Sequence, residues 1–159
     1  MTKKIAIASD HAGFELKESI KKKFPEIEWE DLGPHSAESV NYPDYAQKLC
    51  KWVLDHHEEE ALHKPCAILM CGSGQGMAMT ANRYYSIRAA LCWSEEVAKL
   101  SRQHNASNVL CLGARVIEES LNHKIVKTWF DTAFEGGRHL ARIEKIDEDD
   151  CCSSGSCEH

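Results

Sequence analysis

CAILMCGSGQGMAMTANR, residues 66–83, opens with an apolar run that ends at Cys71 and passes directly into Gly72, Gly74 and Gly76. A strand ending this way delivers its last side chain, here a thiol, to a loop whose backbone N–H groups can converge without side-chain obstruction. Met77 to Arg83 reads as a helix, whose positive N-terminal end would point at any anion the loop holds. The spacing is not a dinucleotide fingerprint, since G-x-G-x-G lacks the G-x-G-x-x-G register, and no Gly-Lys-Ser/Thr closes it as a P-loop would. A glycine loop after a strand is equally a tight turn, so the decision rests on what surrounds it.

Outward from this segment the chain alternates strand-like and helix-like patterns. Lys4 to Ser9 is a short apolar run, after which Leu16, Ile20 and Phe24 recur at helical spacing. Ile27 to Leu32 follows as a strand, then Gly33-Pro34 and a polar loop, then Pro43 in a first helical turn with Tyr45, Leu49 and Val53 on one face. Ile87 to Cys92 leads into a helix that Ser94 can cap, with Glu95 and Glu96 at its positive end. Val109 to Leu112 starts the last unit, whose helix carries Leu121, Ile125 and Trp129, and Arg138 to Ile146 adds a C-terminal helix. The pattern predicts an α/β fold, a single Rossmann-like αβα sandwich around a five-stranded parallel sheet. Its ligand is expected beyond the carboxyl ends of the strands.

The composition narrows the partners. With 159 residues and 43% hydrophobic content the chain suits one domain, residues 1–146, and a formal net charge of −6 without a basic stripe argues against nucleic acid. Lys21 to Lys23 reads as a solvated helix face. No apolar stretch approaches the ~20 residues of a membrane span, which points to a soluble, cytoplasmic protein with no membrane partner. Cys50, Cys66, Cys71, Cys92 and Cys111 fall in the body of the chain, several inside apolar runs, and read as reduced thiols.

If strand ends gather on one rim, unusual chemistry collects there: Asp10 and His11 after the first strand, Cys71 and the glycine loop after the third, and His104 and Asn105 at the end of the fourth helix. Each has a plainer reading. Asp10 suits a helix cap, His11 and His104 suit hydrogen-bonded structural roles, and Cys71 suits an inert buried thiol unless its setting is accessible and electropositive. Arg138 and Arg142, four apart, can face one phosphate or simply be solvated beside Glu144.

Taken together the segments resemble ribose-5-phosphate isomerase of the B type, in the family that includes galactose-6-phosphate isomerase subunits. The resemblance spans about residues 4–146. It rests on Ser9-Asp10-His11-Ala12-Gly13, Asn41-Tyr42-Pro43-Asp44-Tyr45-Ala46, Cys71-Gly72-Ser73-Gly74-Gln75-Gly76, Ala81-Asn82-Arg83, Ser101-Arg102-Gln103-His104-Asn105 and Gly136-Gly137-Arg138-His139-Leu140-Ala141-Arg142.

The resemblance implies interconversion of ribose 5-phosphate and ribulose 5-phosphate through a cis-enediolate, in the non-oxidative pentose phosphate pathway, with no metal or organic cofactor. It gives Cys71 the role of base, with Ser73 assisting, and His104 the opening of the sugar ring. Asp10 and Tyr42 would hold sugar hydroxyls and Asn105 the substrate. The amides of Gly72, Gly74, Gln75 and Gly76 would receive the enediolate charge, and His11, Arg138, Arg142 and Arg115 the phosphate. Members of the family are dimers with shared sites, so a homodimer or a tetramer of two dimers is expected, with His104, Asn105 and Arg115 serving the partner's site. Another branch carries a glutamate base at the position of Met77. Met77 cannot take a proton, which leaves the cysteine route. Ser73 stands where many cysteine-type members have threonine, and both offer a hydroxyl.

Two alternatives stay open: an isomerase of a hexose 6-phosphate such as allose or galactose 6-phosphate, and a non-catalytic sugar-phosphate binding protein. The resemblance does not reach residues 147–159, an acidic, Cys-rich tail with Cys151, Cys152, Cys157 and His159. Its C-C-x4-C-x-H spacing lacks the paired C-x2-C of common zinc sites, and the plainer expectation is a disordered terminus.

Overall fold

The computed structural model describes residues 4–148, so the tail from Asp149 onward and the expectation for it lie outside the described residues. Asp147 lies inside them, and its Oδ2 accepts the Ser86 N–H at 2.7 Å.

The alternating pattern folds as five βα units. In chain order the elements are β1 (Ile5–Ser9), α1 (Phe14–Lys23), β2 (Trp29–Asp31), α2 (Tyr42–His56), β3 (Ala67–Cys71), α3 (Gln75–Ala81), β4 (Ala89–Leu91), α4 (Glu95–Asn105), β5 (Val109–Gly113), α5 (Glu119–Asp131) and α6 (Arg138–Glu144). All four strand pairings are parallel and the sheet order is β2-β1-β3-β5-β4. The chain steps one way from β1 to β2 and then crosses to β3 on the other side. The carboxyl ends of β1 and β3 therefore flank the topological switch point, the place where such sheets bind ligands.

Strand alternation divides the core into two layers. Ala6, Ala8, Ala67, Leu69, Val109 and Cys111 face Leu49, Val53, Met77 and Ala81 of α2 and α3. Ile7, Ile68, Met70, Leu110 and Leu112 face Leu16, Ile20, Ala98, Ile125 and Trp129 of α1, α4 and α5. β1, β3 and β5 are almost wholly buried, as a parallel sheet covered on both faces requires.

The edge strands are shorter than the apolar runs that encode them. β4 keeps only Ala89–Leu91 of the expected Ile87–Cys92. There the Asn82 side chain replaces a strand partner, its Oδ1 accepting the Ala89 N–H at 2.8 Å and its Nδ2 donating to the Ala89 carbonyl at 2.9 Å. β2 likewise shrinks to Trp29–Asp31, α3 starts at Gln75 and ends at Ala81, and α6 ends at Glu144. A 3₁₀ turn at Glu59–His63 had no expectation. Ser94 does cap α4, accepting the Val97 N–H at 3.2 Å.

Lys21 is not a solvated residue as expected: its ammonium donates to Asp31 Oδ2 and to Glu18. Beside it Lys17 is fully buried, with Nζ 2.7 Å and 2.8 Å from the two Asp31 oxygens and 2.8 Å from the Pro34 carbonyl. This cluster ties α1 to the end of β2.

Candidate active site

Cys71 is the last residue of β3, 5% exposed, and points toward α2 and α3. Its sulfur accepts the Gly74 N–H at 3.1 Å, so the glycine loop folds back over the thiol. That fold needs φ +79° at Gly74, and a Cβ there would meet Leu91 Cδ1 at 2.5 Å and the Leu112 backbone at 3.0 Å. Only glycine fits. At Gly76 a Cβ would meet the Tyr42 ring at 2.6 Å, which shows how closely the first residue of α2 lies over the loop. Ser73 is exposed at the loop's tip, its Oγ accepting the Gln75 N–H at 3.3 Å.

β1 brings Asp10 and His11 to the same rim, with the Asp10 N–H donating to the Met70 carbonyl at 3.2 Å. Asp10 is buried, and its Oδ1 accepts the Gly13 N–H at 3.0 Å. The helix cap expected of Asp10 is shifted: Gly13 occupies the N-cap of α1, and the carboxylate secures the turn before it. His11 Nδ1 accepts the Val40 N–H at 3.3 Å, which leaves Nε2 as the donor of the neutral ring. Arg115 follows β5; its N–H donates to the Gly72 carbonyl at 2.9 Å and its side chain passes Gly72. Within the chain Arg115 lies on the same rim as Cys71, because β3 and β5 are neighbours.

His104 and Asn105 do not join this rim. α4 leaves the carboxyl end of β4 and returns over about 16 Å to the opposite edge of the sheet. There Arg88, just before β4, donates to the Asn105 carbonyl at 3.0 Å. The expected single rim therefore fails for these two residues, since a helix after a parallel strand must run back. Arg138 and Arg142 share their end: α6 packs on α4, and the His104 and His139 rings stack with centroids 4.4 Å apart and planes at 15°. Both arginines are exposed, and neither guanidinium makes a hydrogen bond or ion pair among the described residues. Glu144 does not pair with them.

The candidate residues thus form two groups at opposite ends of the strands: Asp10, His11, Tyr42, Cys71 to Gly76 and Arg115 on one, His104, Asn105, Arg138 and Arg142 on the other. One holds a thiol, amides and a carboxylate, the other an imidazole and two exposed guanidinium groups.

The other thiols have different surroundings. Burial pushes Cys50 up to about 12 and Cys92 up to about 11, and raises fully buried Cys111 as well. Such groups stay protonated and inert at neutral pH. Cys50, Cys66, Cys71, Cys92 and Cys111 are all free thiols in the structure.

Residue reading passed over Arg102. It is 2% exposed and donates to the carbonyls of Ser107 at 2.6 Å, His63 at 2.9 Å and Thr132 at 3.2 Å. Desolvation lowers its guanidinium to about 10. Its signal was its place four residues after buried Ala98, on the inner stripe of α4.

Comparison with known proteins gives a consistent match. The family described as Ribose/Galactose Isomerase matches residues 5–146. Ribose-5-phosphate isomerase B of Escherichia coli (strain K12) is 40% identical over 146 residues, covering 91% of this chain and 94% of that protein. The crystal structure of a ribose 5-phosphate isomerase from Thermotoga maritima superposes with TM-score 0.84 at 50% identity, covering 92% of this chain and 98% of that one. The ribose-5-phosphate isomerase B of Mycoplasma genitalium, solved with bound ribulose-5-phosphate, gives TM-score 0.82 at 39% identity, covering 97% of both chains.

Proposed function

The chain belongs to the ribose/galactose isomerase family, and from that premise we propose that it interconverts ribose 5-phosphate and ribulose 5-phosphate, with Cys71 as the base. The observation that carries the reading is the Cys71 sulfur held under the glycine loop, 3.1 Å from the Gly74 amide, at the switch point between β1 and β3.

The chemistry assigns the remaining roles. Ribose 5-phosphate is a closed ring, and His104 protonates the ring oxygen as a second group accepts the C1 hydroxyl proton. The thiolate of Cys71 then takes the proton from C2, and the electrons collect on the carbonyl oxygen as a cis-enediolate. Returning a proton to C1, while the C2 hydroxyl proton passes to the C1 oxygen, gives the ketose. Ser73 assists this transfer, while the amides of Gly72, Gly74, Gln75 and Gly76 receive the oxyanion. Asp10 and Tyr42 hold sugar hydroxyls and Asn105 steadies the chain of the substrate. The Nε2–H of His11, with Arg115, Arg138 and Arg142, holds the phosphate. These roles place proton transfer and charge stabilisation on the chain's own residues.

A single chain keeps Cys71 and His104 apart by the length of the sheet, about 16 Å for five-residue β5. The active form is therefore a homodimer in which His104, Asn105, Arg138 and Arg142 of one protomer complete the Cys71 rim of the other. Association of two dimers into a tetramer is compatible with this arrangement. The catalytic domain is residues 1–146, and the protein acts in the cytoplasm on the pentose phosphates of the non-oxidative pathway. Among the described residues no helix is long and apolar enough to cross a membrane.

The direct test follows ketose formation from ribose 5-phosphate, with and without chelator, beside allose 6-phosphate and galactose 6-phosphate. Chelator-insensitive turnover of the pentose is expected. Preference for a hexose phosphate would move the substrate within the family, and binding without turnover would overturn the assignment.

A further inference from the structure

Glu135 and His139 have no part in the chemistry above, yet they are built against the residue that opens the ring. His104 lies one residue from the end of α4, where Ala106 turns into the left-handed region at φ 46° and the helix hydrogen bonds run out. A side chain so placed would fray unless held. The backbone is held from three sides: Arg88 donates to the Asn105 and Ala106 carbonyls, Arg102 to the Ser107 carbonyl, and the Glu135 N–H to the Gln103 carbonyl at 3.1 Å.

The imidazole itself is held by one ring. His139 is 6% exposed and stacks on His104 at 4.4 Å and 15°. Glu135 Oε2 stands 3.5 Å from His139 Nε2, and the turn through Gly136 (φ +63°) and Gly137 (φ +55°) brings the two together. A buried imidazole laid flat against a partly exposed one fixes its plane without covering the nitrogens at its edge, one of which lies within 4.8 Å of a Glu135 oxygen and a His139 nitrogen. From this we propose that His139, oriented by Glu135, is the positioning residue for His104: it sets the plane in which the His104 ring meets the sugar ring oxygen. The inference rests on the ring-opening role given to His104 above.

The test separates ring opening from enolisation. Ribulose 5-phosphate has its C5 oxygen phosphorylated and stays open, so solvent deuterium uptake at its C1 needs the Cys71 base but no ring chemistry. His139→Ala is expected to lower kcat for ribose 5-phosphate about tenfold, a cost typical of a displaced catalytic group. KM and C1 exchange in ribulose 5-phosphate should stay near wild type. His139→Phe keeps the aromatic face and should restore kcat to within about threefold. Wild-type kcat in His139→Ala overturns the inference. So does an equal fall in turnover and exchange, or failure of the Phe variant while its melting temperature is unchanged. His104→Ala run alongside shows where a failure lies: if it too keeps full ribose 5-phosphate turnover, the role of His104 is wrong and the inference falls with it. If only His104→Ala is impaired, the inference alone is wrong.

Discussion

Cys71 and Gly74 work as a pair, the backbone path at Gly74 laying an N–H against the sulfur proposed as the base. Cys71→Ala should cut turnover by about 10²-fold or more, the usual worth of a general base, while ligand binding measured by calorimetry stays within a few fold. Gly74→Ala forces a left-handed alanine into Leu91 and the Leu112 backbone. It should lose about 1–3 kcal/mol from backbone strain alone, read as a lower denaturant midpoint. Both residues were legible in the sequence, because alternating glycines directly after a strand-end thiol let the backbone close over the sulfur, which bulkier residues would prevent. The state of His11 was not, since its tautomer depends on the Val40 amide, brought to it by a loop 29 residues away.

At the scale of elements, hydrophobic periodicity found every strand and helix except the 3₁₀ turn at Glu59–His63, and misjudged mainly the ends of β2 and β4. Apolar runs report burial, whereas a strand ends where its partner does, and both strands lie at the sheet's edges. The Lys17–Asp31–Lys21 cluster was equally illegible, because lysines in a K-x3-K-K-K stretch look solvated until β2 supplies a carboxylate. Asp31→Asn would strand fully buried Lys17 without its main counter-charge and should cost about 3 kcal/mol in urea unfolding at pH 7. Burial works against the Asp31 charge, but hydrogen bonds from Lys17, Lys21 and the Gly33 amide outweigh it and hold the carboxyl below its ordinary range. A lowered folded value means the unfolded chain takes the proton first. The contribution is therefore complete above about pH 4 and lost as pH falls through the folded value. The stability gap between wild type and Asp31→Asn should accordingly narrow in acid, and a gap unchanged between pH 7 and pH 3 would remove Asp31 from the account.

For the molecule as a whole, the family resemblance assigned His104 and Asn105 to a partner's site, whereas the residue pattern alone placed them on the Cys71 rim. Reading His104 as a rim residue overlooked that α4 must return to the start of the sheet before β5 can begin. In the proposed homodimer, two half-sites at opposite ends of one chain would become whole sites across a two-fold axis. The measurement that bears on this most directly mixes two inactive proteins. Cys71→Ala and His104→Ala chains, co-expressed with different tags and purified together, should regain about a quarter of wild-type ribose 5-phosphate turnover, because half of randomly paired dimers carry one intact site. A mixture that remains as inactive as either variant alone, with hybrid dimers present, would contradict the shared site and the isomerase mechanism built on it.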